Sequence, residues 1–362
     1  MATQRTIGDN PNMPDMDRSL RVAVVGCGVF GRNHARIYRD LQGDPRRSVK
    51  FVGVVDADAA RATSVASEFG TQTFSSISDL VAAGVDAVSV AVPTIVHVAV
   101  ARELLEAGVD VLLEKPLAST LAESDELIDI ARRHGRIVQV GHLERFNPAV
   151  RATLPLLSKP MFFEVHRLSV FTPRSLDVDV VLDLMIHDID IVLTMTRSPV
   201  KEVRAVGLPI LSKKVDIANV RLEFESGCVA NLTASRVSTE RVRKLRFFQP
   251  RQYVSLDFSR QDVLVLTVDS AAGLSGDFDP FNPASIASSA FPGITPFKPK
   301  IEQQEPLRAE LLSFLKAVRD HGTPEVSLEQ GRNALAVTLQ IVDAIAQHSK
   351  KAHLEELTGG VS

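Results

Sequence analysis

RVAVVGCGVFGRNHARIYRDL, residues 21–41, is the stretch on which the fold turns. Its opening run of β-branched and apolar residues reads as a strand, and NHARIYRDL carries the apolar spacing of a helix. Between them Gly26-Cys27-Gly28-Val29-Phe30-Gly31 spaces its glycines as G-x-G-x-x-G. Such glycines permit a tight turn and let backbone N–H groups approach an anion at a helix N-terminus. Alone the pattern is only a Gly-rich turn. Its context is a second strand, FVGVVD (51–56), ending at Asp56, whose carboxylate can accept hydrogen bonds from an adenosine ribose and would repel a 2′-phosphate. Strand, glycines and acid together read as a dinucleotide site with NAD as the expected cofactor.

Working outward, AVSVAV (87–92), DVLLE (110–114) and RIVQVG (136–141) are three more apolar runs. Strands covered by helices on both faces have this composition, so a parallel sheet of βα units is expected. Thr120 with Glu123 forms a capping-box pattern before LAESDELIDIARRH, and Gly135 stands where that helix would stop. Past Asn147 the rhythm changes. DIANVRLEFESGCVANLTASRV (216–237) reads as two alternating strands joined at Ser226-Gly227, a hairpin, and 159–170, 200–210, 243–248, 252–258 and 263–268 read as further strands. Residues 269–300 hold five prolines and four phenylalanines (Phe278, Phe281, Phe291, Phe297), which suggests an ordered arm packed on its own domain or on a neighbouring subunit. Helices are expected near 305–320 and, from a second capping box at Ser327 and Gln330, through about His348. The expected fold class is α/β: an N-terminal Rossmann domain (20–146), then a domain (147–352) for substrate binding and oligomerisation with a large, mostly antiparallel open sheet, flanked by tails at 1–19 and 353–362.

Composition narrows the function. A chain of 362 residues suggests two domains, and 45% apolar with 23% charged residues is ordinary globular usage. The formal net charge of −3 offers no basic field for nucleic acid or anionic lipid. No run spans a bilayer, residues 1–20 lack the apolar core of a secretory signal, and Cys27 and Cys228 are too few for a disulfide framework, so a cytoplasmic chain with reduced thiols is expected. Neither cysteine has a zinc-ligand spacing and no Gly-x-Ser-x-Gly elbow occurs, so no metal and no serine nucleophile is expected.

Chemistry-bearing residues cluster at strand ends. Pro93, Thr94 and His97 follow the third strand and Glu114-Lys115-Pro116 follows the fourth, both on the rim where open α/β sheets bind ligands. Pro93 can equally serve as a strand terminator and His97 as the start of a helix. In VVLDLMIHDIDIVLTM (180–195), Asp183, His187, Asp190 and Thr194 recur at helical spacing as a polar stripe on an apolar cylinder. Either His187 is a satisfied core histidine, or it is a proton acceptor oriented by a carboxylate one turn away, which would suit alcohol oxidation. Arg145 and Asn147, at the crossing between domains, either face a polar ligand or clamp the structure. Arg174 either meets a phosphate or is solvated.

With GxGxxG, Asp56, the Glu-Lys-Pro triplet and an Asp-x-x-x-His helix in this order, the chain resembles the Gfo/Idh/MocA family of NAD(P)-dependent oxidoreductases. The resemblance runs nearly the whole length, to EPLRAELLSFLKAVRDHGTPEVSLEQGRNALAV at the end. It implies that Lys115, Asp183 and His187 match the family's catalytic lysine, aspartate and histidine, and that the sheet makes homodimers or homotetramers. GHLERFNPAV and DVDVVLDLMIHDIDI look most like the branch that oxidises C3 of UDP-N-acetylglucosamine for a partner aminotransferase in lipid A synthesis. One departure is Val178-Asp179-Val180-Val181 where many relatives carry glycines, bulk that would reshape a sugar pocket. Another sugar or an inositol therefore stays open as substrate, as does a sensor that binds NAD and sugar without turnover.

Overall fold

The computed structural model describes residues 18–44, 46–172, 178–268 and 294–353. Six strands, β1 (Leu20–Val25), β2 (Val49–Val55), β3 (Gln72–Thr73), β4 (Ala87–Val90), β5 (Asp110–Glu114) and β6 (Val138–Gly141), form a parallel sheet in the order β3-β2-β1-β4-β5-β6. The chain adds β2 and β3 on one side of β1 and then crosses back to place β4 on the other, which opens a crevice at the carboxyl ends of these strands. Helices α1 (Val29–Gln42), α2 (Ala59–Phe69), α3 (Ile77–Ala82), α4 (His97–Glu106) and α5 (Leu121–His134) connect the strands. The capping box of Thr120 and Glu123 is present, and Gly135 ends α5 with a left-handed φ of 59°.

After the short helix α6 (Pro148–Thr153) come β7 (Phe162–Val170), α7 (Ile186–Thr196), β8 (Val200–Leu208), β9 (Ile217–Phe224), β10 (Val229–Ser238), β11 (Val242–Gln249), β12 (Gln252–Asp257), β13 (Asp262–Val268) and β14 (Ile294–Phe297). These eight strands pair in the order β14-β13-β12-β11-β7-β10-β9-β8, antiparallel throughout except β7 with β10. The expected hairpin joins β9 to β10, with Gly227 at φ 81°. Phe163, Val165, Leu245 and Phe247 alternate onto one face and are buried against the α7 side, each contributing about 1.5–3 kcal/mol by leaving water. The opposite face carries Phe162, Phe248 and Tyr253 in contact with one another.

The sequence division at 146/147 does not hold in space. Helix α8 (Pro306–Asp320) returns to the first domain, where Leu307, Leu311, Phe314 and Val318 pack with Ile37, Tyr38 and Leu41 of α1. Helix α9 (Leu328–Lys351) begins there too, since a Cβ at Gly331 would sit 2.8 Å from the side chain of Val140. The physical reason is that the apolar stripe of α8 finds its cover on the outer surface of the parallel sheet. β3 was not foreseen because two residues carry no alternation. Residues 1–17 and 354–362, Arg174, and Phe278, Phe281 and Phe291 of the arm lie outside the described residues; Phe297, which ends β14, is half exposed. Among the described residues no helix is long and apolar enough to cross a membrane.

Candidate active site

The glycine loop is shaped by close approaches. Gly26 has φ 94°, and a Cβ on it would meet the Ala91 carbonyl oxygen at 2.4 Å, while a Cβ on Gly31 would fall 1.7 Å from the Gly26 oxygen. Gly28, the N-cap of α1, has nothing within 4 Å of an added Cβ, so the space before the helix N-terminus is open. No acidic side chain stands in that first turn. Exposed N–H groups and the helix dipole suit a diphosphate there. Val29, Phe30 and Ile95 add exposed apolar surface on the same rim. Asp56 is anchored at the end of β2: its carboxylate accepts from the backbone N–H of Cys27 at 2.6 Å and of Asp58 at 2.8 Å. Burial, with Asp56 beside it, pushes the Cys27 thiol up to about 12, so it stays protonated. These residues fit a dinucleotide.

At the ends of β4 and β5 the candidates separate. Pro93 caps a short 3-10 turn that holds Thr94 on the rim. Of the two readings of His97, the structure supports the start of a helix, α4, over a place facing the cofactor. Its ring is 1% exposed and its two nitrogens lie 3.0 Å from the carbonyl oxygens of Val92 and Pro116, so it ties the two rim loops together from below. Glu114 is held from beneath by His34 of α1, Nε2 to Oε1 at 3.0 Å. Next to it, Lys115 Nζ donates to the Asp183 carbonyl oxygen at 2.8 Å and lies 3.9 Å from the Asp183 carboxylate. Lys115 therefore links the two sheets. Burial lowers its pKa, and Asp183 and Glu114 partly restore it.

Val181–Met185 forms a π-type turn that leads directly into α7. Such turns are rare and concentrate at functional sites. Here the turn presents Asp183 to Lys115, which corrects the expectation that Asp183 orients the His187 ring. The nearest opposite charge is the ammonium from the other domain, and His187 Nδ1 is buried without a hydrogen-bond partner among the described residues. Burial holds the His187 pKa well below the ordinary imidazole value, helped by Lys115, Arg167, His142 and Arg243. The imidazole is therefore neutral at neutral pH and can accept a proton. Of Val178-Asp179-Val180-Val181, Val180 and Val181 are wholly buried in the core of the second domain and do not line a pocket, while Val178 and Asp179 are half-buried.

For Arg145 and Asn147 the structure supports the clamp over the ligand-facing reading. Arg145 makes a two-pronged ion pair with Asp190 at 2.6 and 2.8 Å, both residues buried. Asn147 caps α6 and donates to Glu144 and to the Phe258 carbonyl. Both are committed internally and clamp the domain crossing. Asp190 and Thr194 leave the polar stripe likewise, Thr194 donating to the Asp190 carbonyl.

Three residues here had gone unnoticed. Arg167 of β7 is 2% exposed and holds Asp188 at 2.7 and 2.8 Å and Glu144 at 3.0 Å. Burial opposes its charge, and these two carboxylates more than offset that, leaving its pKa raised. His142, fully buried just after β6, lies within electrostatic range of Lys115 and Asp190, and burial lowers its pKa. Arg243 of β11 stands opposite Arg167 across the strand pair, on the same face of the sheet. A run such as RKLRFF shows strand alternation, but which face meets the crevice depends on register with β7.

Two family models match the chain: an oxidoreductase family with NAD-binding Rossmann fold over residues 20–142, and the GFO/IDH/MocA C-terminal domain over residues 161–251. The UDP-N-acetylglucosamine 3-dehydrogenase of Acidithiobacillus ferrooxidans is 35% identical over 327 residues, covering 90% of this chain and 97% of that protein. Its solved structure superposes with a TM-score of 0.81 over 90% of this chain and 97% of that one. The myo-inositol dehydrogenase Hyg17 of Streptomyces leeuwenhoekii is also 35% identical, over 52% of this chain and 59% of its own length. A myo-inositol 2-dehydrogenase structure from Lactobacillus plantarum, 19% identical with a TM-score of 0.72 and covering 91% of this chain and 98% of its own, shares the fold. Together with the glycine cradle and the Lys115, Asp183 and His187 cluster, these matches place the chain in the Gfo/Idh/MocA family of NAD-binding oxidoreductases.

Proposed function

We propose that this oxidoreductase converts the C3 hydroxyl of UDP-N-acetylglucosamine to a ketone. The observation that carries the reading is Lys115, at the carboxyl end of β5, reaching 2.8 Å to the turn that leads into His187, so that a cation and a neutral imidazole from different domains share one crevice. The match to a nucleotide-sugar dehydrogenase over 97% of its length favours that substrate over inositol, since the Hyg17 relative matches over only 59% of its own.

Bound NAD would supply the acceptor for the hydride. The Gly26 to Gly31 loop and the N-terminus of α1 would hold its diphosphate, Asp56 its adenosine ribose, and the rim at Thr94 and Glu114 its nicotinamide half. His187 takes the hydroxyl proton while the C–H bond gives up its electron pair and the C=O bond forms. Lys115 donates a hydrogen bond to the same oxygen, where its charge offsets developing alkoxide character. Asp183 keeps Lys115 protonated and placed. Exchanged roles, with Lys115 as acceptor, are chemically equivalent in outcome, and its lowered pKa makes them feasible. The exposed Phe248, contiguous with Phe162 and Tyr253, supports a homo-oligomer through the open sheet face.

The test is a panel of nucleotide sugars, free sugars and inositols with NAD, followed by NADH absorbance. Turnover is expected with UDP-N-acetylglucosamine. Turnover confined to inositols would replace the substrate, and binding of NAD and sugar with no absorbance change under any condition would make the protein a sensor.

A further inference from the structure

Resting on that reading, we infer that Arg243 recognises a negative group carried beside the oxidised ring, the sugar-proximal phosphate of a nucleoside diphosphate sugar. Among the described residues, the other lysine and arginine side chains around His187 each have a carboxylate partner. Lys115 has Asp183, Arg167 has Asp188 and Glu144, and Arg145 has Asp190. Arg243 sits in register with Arg167, on the face that looks toward α7, and its Nε is buried with no hydrogen-bond partner among the described residues. Like charges directly opposite on neighbouring strands repel. Arg167 is ion-paired with two carboxylates, whereas Arg243 feels those two only at longer range and has no ion pair of its own among the described residues. Burial works against that charge, Arg167 and the exposed Arg241 add to the effect, and Glu144 and Asp188 offset only part of it, so its pKa is lowered.

A cation kept in such a place without a carboxylate of its own is arranged for an anion that arrives with a ligand. The position agrees with the chemistry. Arg243 is within electrostatic range of His187, the base addressing C3, and the diphosphate is borne on C1, two ring atoms from that carbon. A neutral cyclitol offers nothing for this guanidinium, so Arg243 is a specificity-determining residue, not a catalytic one.

The experiment uses the NAD-loaded protein and two variants, Arg243→Met and Arg243→Lys. Calorimetric titration with UDP is combined with steady-state rates on UDP-N-acetylglucosamine. Loss of a charge-assisted hydrogen bond predicts a rise of roughly 10–100-fold in the Kd for UDP and in KM for Arg243→Met, a smaller rise for Arg243→Lys, and kcat and NAD affinity within about threefold of wild type. The Arg243→Lys variant and unchanged NAD binding guard against a mere folding defect. If wild type oxidises UDP-N-acetylglucosamine and Arg243→Met keeps the KM and the UDP affinity, the inference falls and the proposed function stands. If wild type fails to bind UDP and oxidises only uncharged polyols, both fall. If wild type oxidises some other anionic sugar and Arg243→Met raises its KM, the substrate is reassigned and the role of Arg243 stands.

Discussion

The glycine loop and the turn before α7, on the proposed function the nucleotide side and the substrate side of the crevice, are built from opposite materials. The loop is backbone: glycines at 26, 28 and 31, a helix N-terminus, and no acidic side chain in its first turn. The substrate side is buried charge, in which Arg167, Asp188, Glu144, Arg145 and Asp190 satisfy one another below the crevice. A substitution in the loop acts by filling space. One on the substrate side acts by stranding a charge or removing a proton acceptor, and the two kinds of damage should be separable by experiment.

The largest separation is expected at His187. General base catalysis contributes about 10²–10⁴-fold, so His187→Ala should lower kcat by that order while NADH affinity, followed by fluorescence titration, stays within about twofold. Because burial and the surrounding cations hold the imidazole pKa down, the acidic limb of wild-type kcat/KM should lie below the pH of an unperturbed histidine, not at 6–7. A full-rate His187→Ala enzyme would make the histidine structural.

Next comes a pair of substitutions, one on each side. Arg167→Met leaves Asp188 and Glu144 buried without their cation and should cost about 3–5 kcal/mol in urea unfolding. Gly28→Ala projects a methyl into open space before α1, so stability should change by less than about 0.5 kcal/mol while NAD binding weakens. Equal stability losses in the two variants would erase the distinction between the regions.

The smallest effect concerns a buried charge site beneath the nucleotide half. Glu310 of α8 is fully buried, both its carboxyl oxygens lack a hydrogen-bond partner among the described residues, and burial with Glu114 nearby raises its pKa well above 4.5. The folded chain then keeps a proton that the unfolded chain releases near 4.5, so this contribution is complete below that pH and is lost as pH rises toward the folded value. Wild-type stability should fall relative to Glu310→Gln by about 1.4 kcal/mol per pH unit across that window. Parallel pH–stability curves for the two proteins would show that Glu310 is not held neutral.

Legibility in the sequence divides along the same line. The capping boxes at Thr120 and Ser327 have partners within a few residues, and the glycine loop and Asp56 stand at the ends of apolar strand runs, so the first sheet could be read directly. The sequence leaves Arg145 and Asn147 open between ligand and clamp because the groups that occupy them, Asp190 and the Phe258 carbonyl, are distant in sequence. The π-type turn at Val181–Met185 has no residue pattern of its own, which is why Asp183 was assigned to His187 and not to Lys115. Arg243 required the pairing of β11 with β7.

On the proposed function, hydride leaves C3 of a nucleotide sugar in the crevice shared by Lys115 and His187. UDP-N-acetylglucosamine carrying deuterium at C3 tests it most directly, with the mass of the reduced cofactor as the readout. Deuterated NADH is expected from the wild-type protein, formed far more slowly by His187→Ala and by Lys115→Met. Unlabelled NADH, or no reduced cofactor from this sugar while another substrate is oxidised, would contradict it.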